Sequence, residues 1–250
     1  MERTFFEWIV LYWVNYWPLL LKGSYYTVLL AIIGTIIGFL IGLIVSVICY
    51  IPITKNDSII KRIFLKVTKA LLNIYIEIFR ATPMIVQAMI IFYGAWYMNI
   101  PLKELLAGFI VISVNTGAYM AEIVRGGFIS IDKGQTEGAQ SLGMTHWQTM
   151  INVIIPQAVR NIMPSIGNEF IINIKDSAVL SVISVSELFF AAKSAAGTYL
   201  NYFPIYVIAC AIYFVLTFSV SRILKLAEKK MDGPSSYLIV DANESQIEKV

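Results

Sequence analysis

Three stretches of this chain run for more than twenty residues without a charge: Gly23 to Thr54, Ala81 to Leu102 and Ser194 to Ser221. A helix needs roughly 20 mostly apolar residues to cross bilayer hydrocarbon. A chain with several such runs has lipid as its solvent. Composition agrees: 58% of residues are hydrophobic and 14% charged, against about 45–50% and about 25% in a soluble domain. Leu105 to Ala121 supplies a fourth run, slightly short unless Glu104 or Glu122 sits at its edge. Ile162 to Leu188 is the weakest candidate, because it carries Glu169, Lys175 and Asp176. The first run lies too far in and is too long for a cleavable signal peptide.

Basic residues set the orientation. Lys55, Lys61, Arg62, Lys66 and Lys69 separate the first two runs; Arg125, Lys133 and Arg160 flank the polar stretch near 130–160; Arg222, Lys225, Lys229 and Lys230 follow the last run. The opposite side holds only Arg3, Lys22, Lys103 and Lys193. The reading is an all-α integral membrane protein with five transmembrane helices, its N-terminus outside and its C-terminus in the cytoplasm. Residues 1–22 form an aromatic interfacial helix, 23–230 one membrane domain and 231–250 a polar cytoplasmic tail. In the first segment Trp8, Tyr12 and Tyr16, and Trp13 and Trp17, recur at helical spacing. The basic segment Lys55 to Lys69 suits the anionic inner leaflet.

Gly34, Gly38 and Gly42 place small residues on one helix face, so that another helix approaches closely, either within the subunit or across a subunit boundary. Glu77 and Arg80 are three apart and can pair on one face. Pro83 removes a backbone donor and kinks the helix there. Glu77, Arg80 and Pro83 are therefore candidates either for a gate or for simple snorkelling at the bilayer edge. Asn115, Tyr119 and Glu122 share a face and either line a cavity or join helices. Asn168, Glu169, Lys175 and Asp176 fall at seven-residue spacings that bring Glu169 near Asp176 and Asn168 near Lys175. They are candidates for a substrate path or a charge-balanced gate, and an acidic excess there favours a cationic solute.

The stretch Gly134 to Pro156 is polar in an apolar chain. Thr136 to Leu142 reads as a short helix, Gly143 as its left-handed terminator, and Trp147 to Ala158 as a second helix perturbed by Pro156. Two helices joined at a glycine make a rigid knob suited to docking a partner outside the bilayer. Its pattern is Glu137-Gly138-Ala139, three residues, Gly143, nine residues, then Val153-Ile154-Ile155-Pro156. This resembles the EAA coupling loop of permease subunits of ATP-binding-cassette importers, E-A-A, three residues, G, nine residues, I-x-L-P. Gly138, Val153 and Ile155 depart from it.

The flanks are similar to the polar amino-acid uptake branch, the histidine/glutamine/arginine type. Phe79-Arg80-Ala81-Thr82-Pro83-Met84-Ile85-Val86-Gln87 resembles its F-R-G-T-P-L-L-V-Q. Tyr119 to Gly127 resembles its Y-x-x-E-x-x-R-G-G. Ile155-Pro156-Gln157-Ala158, Asn168 and Lys175-Asp176-Ser177 resemble its later motifs, with Ala81 and Ala178 as departures.

The resemblance implies a prokaryotic plasma-membrane permease for a polar or charged amino acid. It implies coupling through Glu137, Gly138, Ala139, Gly143, Ile155 and Pro156 to cytoplasmic ATPase subunits. It also implies a second permease, as a copy or a paralogue, and an extracytoplasmic solute-binding protein. ATP and magnesium would bind the partner ATPase, because no G-x-x-x-x-G-K-[ST] occurs here. One histidine, His146, and two separated cysteines, Cys49 and Cys210, offer no metal set and no catalytic constellation. No nucleic-acid partner is expected. The alternative is a stand-alone secondary transporter, which has no need of the knob.

Overall fold

The computed structural model describes residues 3–51, 53 and 57–231. Lys55 and the tail after Met231 lie outside the described residues. Among those described there are helices and turns and no strand.

Helix α1 spans Phe5–Tyr50, 46 residues, and is roughly 69 Å long at 1.5 Å per residue. Thr4 and Glu7 close its N-terminus in a reciprocal capping box. It runs unbroken through Gly23, carrying the aromatic segment straight into the charge-free run. Gly23 owes its identity to packing: a Cβ there would lie 2.9 Å from Leu188 Cα. The aromatic segment divides by face. Tyr12 is fully buried and its hydroxyl donates to the Asn201 carbonyl at 2.6 Å, while Trp13 and Trp17 are exposed.

Helices α2 (Ile59–Ala81) and α3 (Met84–Tyr97) meet at a 114° bend. The sequence led us to expect a kink at Pro83; the chain turns a corner instead. Thr82 precedes proline and is extended, at φ −116° and ψ 147°, so the helix cannot continue. The 14 residues of α3 reach about 21 Å, short of the ~30 Å hydrocarbon thickness. Ala81 to Leu102 is therefore not one spanning helix.

Helix α4 spans Glu104–Ile129. A short α5 (Lys133–Ser141) and one-turn α6 (His146–Thr149) follow. A π-turn, Met150–Ile154, leads into α7 (Ile155–Asp176), then a 3-10 segment, Ser177–Ile183, α8 (Leu188–Tyr199) and α9 (Phe203–Met231). Helices α1, α4 and α9 are each long and apolar enough to cross a membrane. Two further crossings arise if each bent pair is one, α2 with α3 and the α6–α7 rod with α8, the latter bent by 51°.

The α1–α4 contact organises the core. Cβ atoms added at Gly34, Gly38 and Gly42 would fall 2.7, 2.7 and 2.5 Å from Ile112, Thr116 and Met120 respectively. The glycine face is thus used inside the subunit. Gly42→Val would meet the Ala121 backbone nitrogen at 2.6 Å, an atom that cannot swing away. Overpacking of this kind costs about 1–3 kcal/mol, so the unfolding temperature of the purified chain in detergent should drop by several degrees. An unchanged melting curve would argue against this contact.

Candidate functional site

The polar stretch folds into the expected knob. Asp132 caps α5, accepting from the Gly134 N–H at 2.6 Å. Gly143 has φ +78°. The Gly143 N–H donates to Gln140 at 2.9 Å and the Met144 N–H to Ala139 at 3.2 Å. This pair of bonds is the Schellman arrangement, which satisfies the last carbonyls of α5. The chain restarts at once, with Thr145 and Gln148 forming a second capping box. The second helix extends much further than Ala158. It widens into the π-turn, where the Ile155 N–H reaches Met150, and Pro156 then occupies the first turn of α7. The loosened turn accommodates the donor that Pro156 lacks.

The knob is tied down and its tip is bare. Gln157 on α7 donates to Gln135 on α5 at 3.3 Å, and Asn161 donates to Ser130 at 2.9 Å. Ala139 is buried beneath α5, while Leu142 and Trp147 are 84% and 74% exposed. Glu137 is exposed, and a Cβ at Gly138 would meet open space. Ile155 and Pro156 are exposed on the shoulder.

A second polar group clamps the α2–α3 corner to α4. The Gln87 amide donates to the Phe79 and Thr82 carbonyls, each at 3.0 Å, satisfying acceptors freed by the broken helix. Asn115 donates to Gln87 Oε1 at 2.9 Å. Farther along the same α4 face, Glu122 is held by Arg125 at 2.6 Å and by Arg80 at 3.5 Å. The Arg80 guanidinium also lies 5.7 Å from the centre of the Tyr119 ring. Asn115, Tyr119 and Glu122 thus all meet the α2–α3 corner, and Glu122 also lines a cleft. Arg80 pairs with Glu122; the expected Glu77–Arg80 pair does not form, and Glu77 is exposed. Because two guanidiniums neutralise Glu122, it contributes no acidic excess. Beside it, between α4 and α7, opens a cleft of about 410 Å³ that also carries Ser130, Asn161 and Ser165.

The α7 candidates separate. Glu169 is only 6% exposed, whereas Asn168, Lys175 and Asp176 are exposed. Glu169 and Asp176 differ in exposure, yet they remain close enough to act on each other electrostatically, as the seven-residue spacing implies. The side chain of Glu169 has neither a hydrogen bond nor an ion pair among the described residues.

Two buried polar groups were missed from the sequence. Asn173 accepts from Thr116 at 3.0 Å and donates to Thr35 at 2.9 Å, bridging α7, α4 and α1. Glu187 is fully buried at the start of α8. It accepts from the Phe189 and Phe190 N–H groups at 2.8 and 2.6 Å and from the Tyr213 hydroxyl at 2.8 Å. The signal available was a lone acid between apolar runs, which is costly in lipid unless it has partners.

Helices of crossing length, buried polar bridges between them and a braced two-helix knob at one end define a multi-helix membrane transport component. The chain belongs to the family described as the binding-protein-dependent transport system inner membrane component, which it matches over residues 58–233. It is 35% identical over 219 residues to the L-cystine transport system permease protein TcyB of Bacillus subtilis, covering 87% of this chain and 88% of that one. It is 34% identical to the glutamine transport system permease protein GlnP of Escherichia coli over 160 residues, covering 63% and 73%. The crystal structure of an amino acid ABC transporter with histidines superposes with a TM-score of 0.80 at 37% identity, covering 92% of this chain and all of that one. The methionine ABC transporter MetNI, at 20% identity and a TM-score of 0.62 over 83% of this chain, shares the fold.

Proposed function

We propose that this chain is the permease subunit of an ATP-binding-cassette importer carrying a polar or charged amino acid into a prokaryotic cell. The observation that carries this reading is the knob: a capped, glycine-hinged pair of helices, braced by Gln135–Gln157, with bare Leu142 and Trp147 at its tip. A separate cytoplasmic ATPase receives the knob and binds ATP and magnesium. A second permease, identical or paralogous, completes the path, and an extracytoplasmic binding protein delivers the solute. The chain crosses the membrane five times, each bent pair counting once, with its N-terminus outside and its C-terminus inside.

Glu169 is the most promising substrate contact in the path. It is a buried carboxylate with no hydrogen bond or ion pair among the described residues, and burying a charge is costly until it is paired. The ammonium group of an amino acid supplies that pairing. Glu169→Gln should reduce uptake at least about tenfold, the worth of one charge-assisted hydrogen bond, while leaving expression and assembly intact. Uptake at the normal rate would remove Glu169 from the path.

The reading as a whole is tested by purifying the chain with its candidate ATPase in lipid and following ATP hydrolysis with binding protein and a panel of amino acids. A stable complex, stimulated by one class of amino acid, is expected. Transport by this chain alone, with no ATPase bound, would replace the importer by a secondary carrier.

A further inference from the structure

We propose that the first half of α2 is a binding site for an anionic phospholipid on the knob side of the membrane. Helix α2 carries two stripes. Ile60, Ile63, Phe64, Val67, Leu71, Ile74 and Ile78 follow one helical face and are all exposed. Ile60 and Phe64 reach 82% and 67% exposure. The protein covers only the opposite side, through Leu65 and Ile76.

Arg62 and Lys66, four apart, lie on the flank beside Ile59 and Ile63, while Lys69 sits on the covered side of the helix. The Lys69 ammonium donates to the Ile51 carbonyl at the end of α1, and Lys61 pairs with Asp57. Arg62 and Lys66 have no side-chain hydrogen bond or ion pair among the described residues. With Ile59 and Ile63 they line a shallow recess of about 220 Å³.

Position along the fold selects the occupant. Because Lys69 meets the C-terminal end of α1, the residues preceding it project past that end. Tyr50, near the same end, stacks on Phe128 at 5.8 Å, where α4 turns toward the knob. The first half of α2 therefore lies level with the root of the knob, where hydrocarbon gives way to headgroups. Unpaired cations beside bare isoleucine and phenylalanine match a phosphate with its acyl chains below. A soluble partner would leave the apolar stripe without cover, and a neutral lipid would leave the cations unmatched.

The test uses the full-length chain in uncharged detergent and counts phosphatidylglycerol and phosphatidylcholine retained in native mass spectra. The wild type should prefer phosphatidylglycerol by roughly tenfold or more, given the attraction of each basic residue to anionic lipid. Arg62→Gln with Lys66→Gln should abolish the preference with helix content unchanged. Lys229→Gln with Lys230→Gln, a basic pair elsewhere, should retain it. Equal retention of both lipids by the wild type would overturn the proposal, as would a preference that survives in the Arg62/Lys66 variant. Ile60→Ser with Phe64→Ser should leave oligomer size unchanged; a shift toward smaller species would assign the face to a second copy instead.

Discussion

Replacing Gly143 with proline should reduce substrate-stimulated ATP hydrolysis by the reconstituted complex at least about tenfold, because it breaks the hinge of the knob in two ways. The native φ of +78° is closed to proline, whose ring fixes φ near −65°. The Gly143 N–H also donates to Gln140, and proline has none to give. Both effects redirect the chain between α5 and α6 and so displace the exposed Leu142 and Trp147 relative to each other. Gly143→Asn should be much milder, because asparagine tolerates the left-handed region. Gly138→Ala makes a sharp control. It sits mid-helix facing open space, so alanine should stabilise α5 by about 0.8–1.0 kcal/mol and preserve coupling. Full activity in the proline variant would show that the knob is not the transmitting element.

Glu187→Ala should lower stability by about 1–3 kcal/mol, since three half-buried donors lose their acceptor. Those donors are the Phe189 and Phe190 amides and the Tyr213 hydroxyl. Glu187→Gln, which keeps one acceptor oxygen, should lose less. Thermal unfolding of the purified chain measures both. Tyr213→Phe removes one donor together with its need, so its effect should be partly absorbed when combined with Glu187→Ala. Strict additivity would mean that the carboxylate and the hydroxyl do not share a bond. The expected phenotype is structural, a loosened joint where α8 begins beside Gly23 of α1.

The pairing of Arg80 shows how local reasoning fails here. Glu77 stands three residues away on the same helix, and spacing alone favours it. Arg80 instead turns to Glu122 on α4, because the corner at Thr82–Pro83 presses the end of α2 against that helix. Asn115 repeats the lesson: no group near it in the sequence satisfies its amide, which donates to the Gln87 oxygen across the corner.

The sequence by itself determined what each segment could be. Charge-free runs marked α1, α4 and α9, because uncharged apolar length is a property of the segment alone. Gly143 and Pro83 declared a left-handed turn and a broken ladder, because a missing Cβ and a missing N–H act where they stand. Asn115, Tyr119 and Glu122 declared one face through helical period. Only the tertiary structure decided what those segments meet: the 114° corner, the bridge from Asn173 to Thr35 and Thr116, the burial of Glu187, and the Arg80–Glu122 pair. A buried polar group must find a partner wherever the fold brings one, and that partner sits on another helix, at a distance along the chain that no local periodicity encodes.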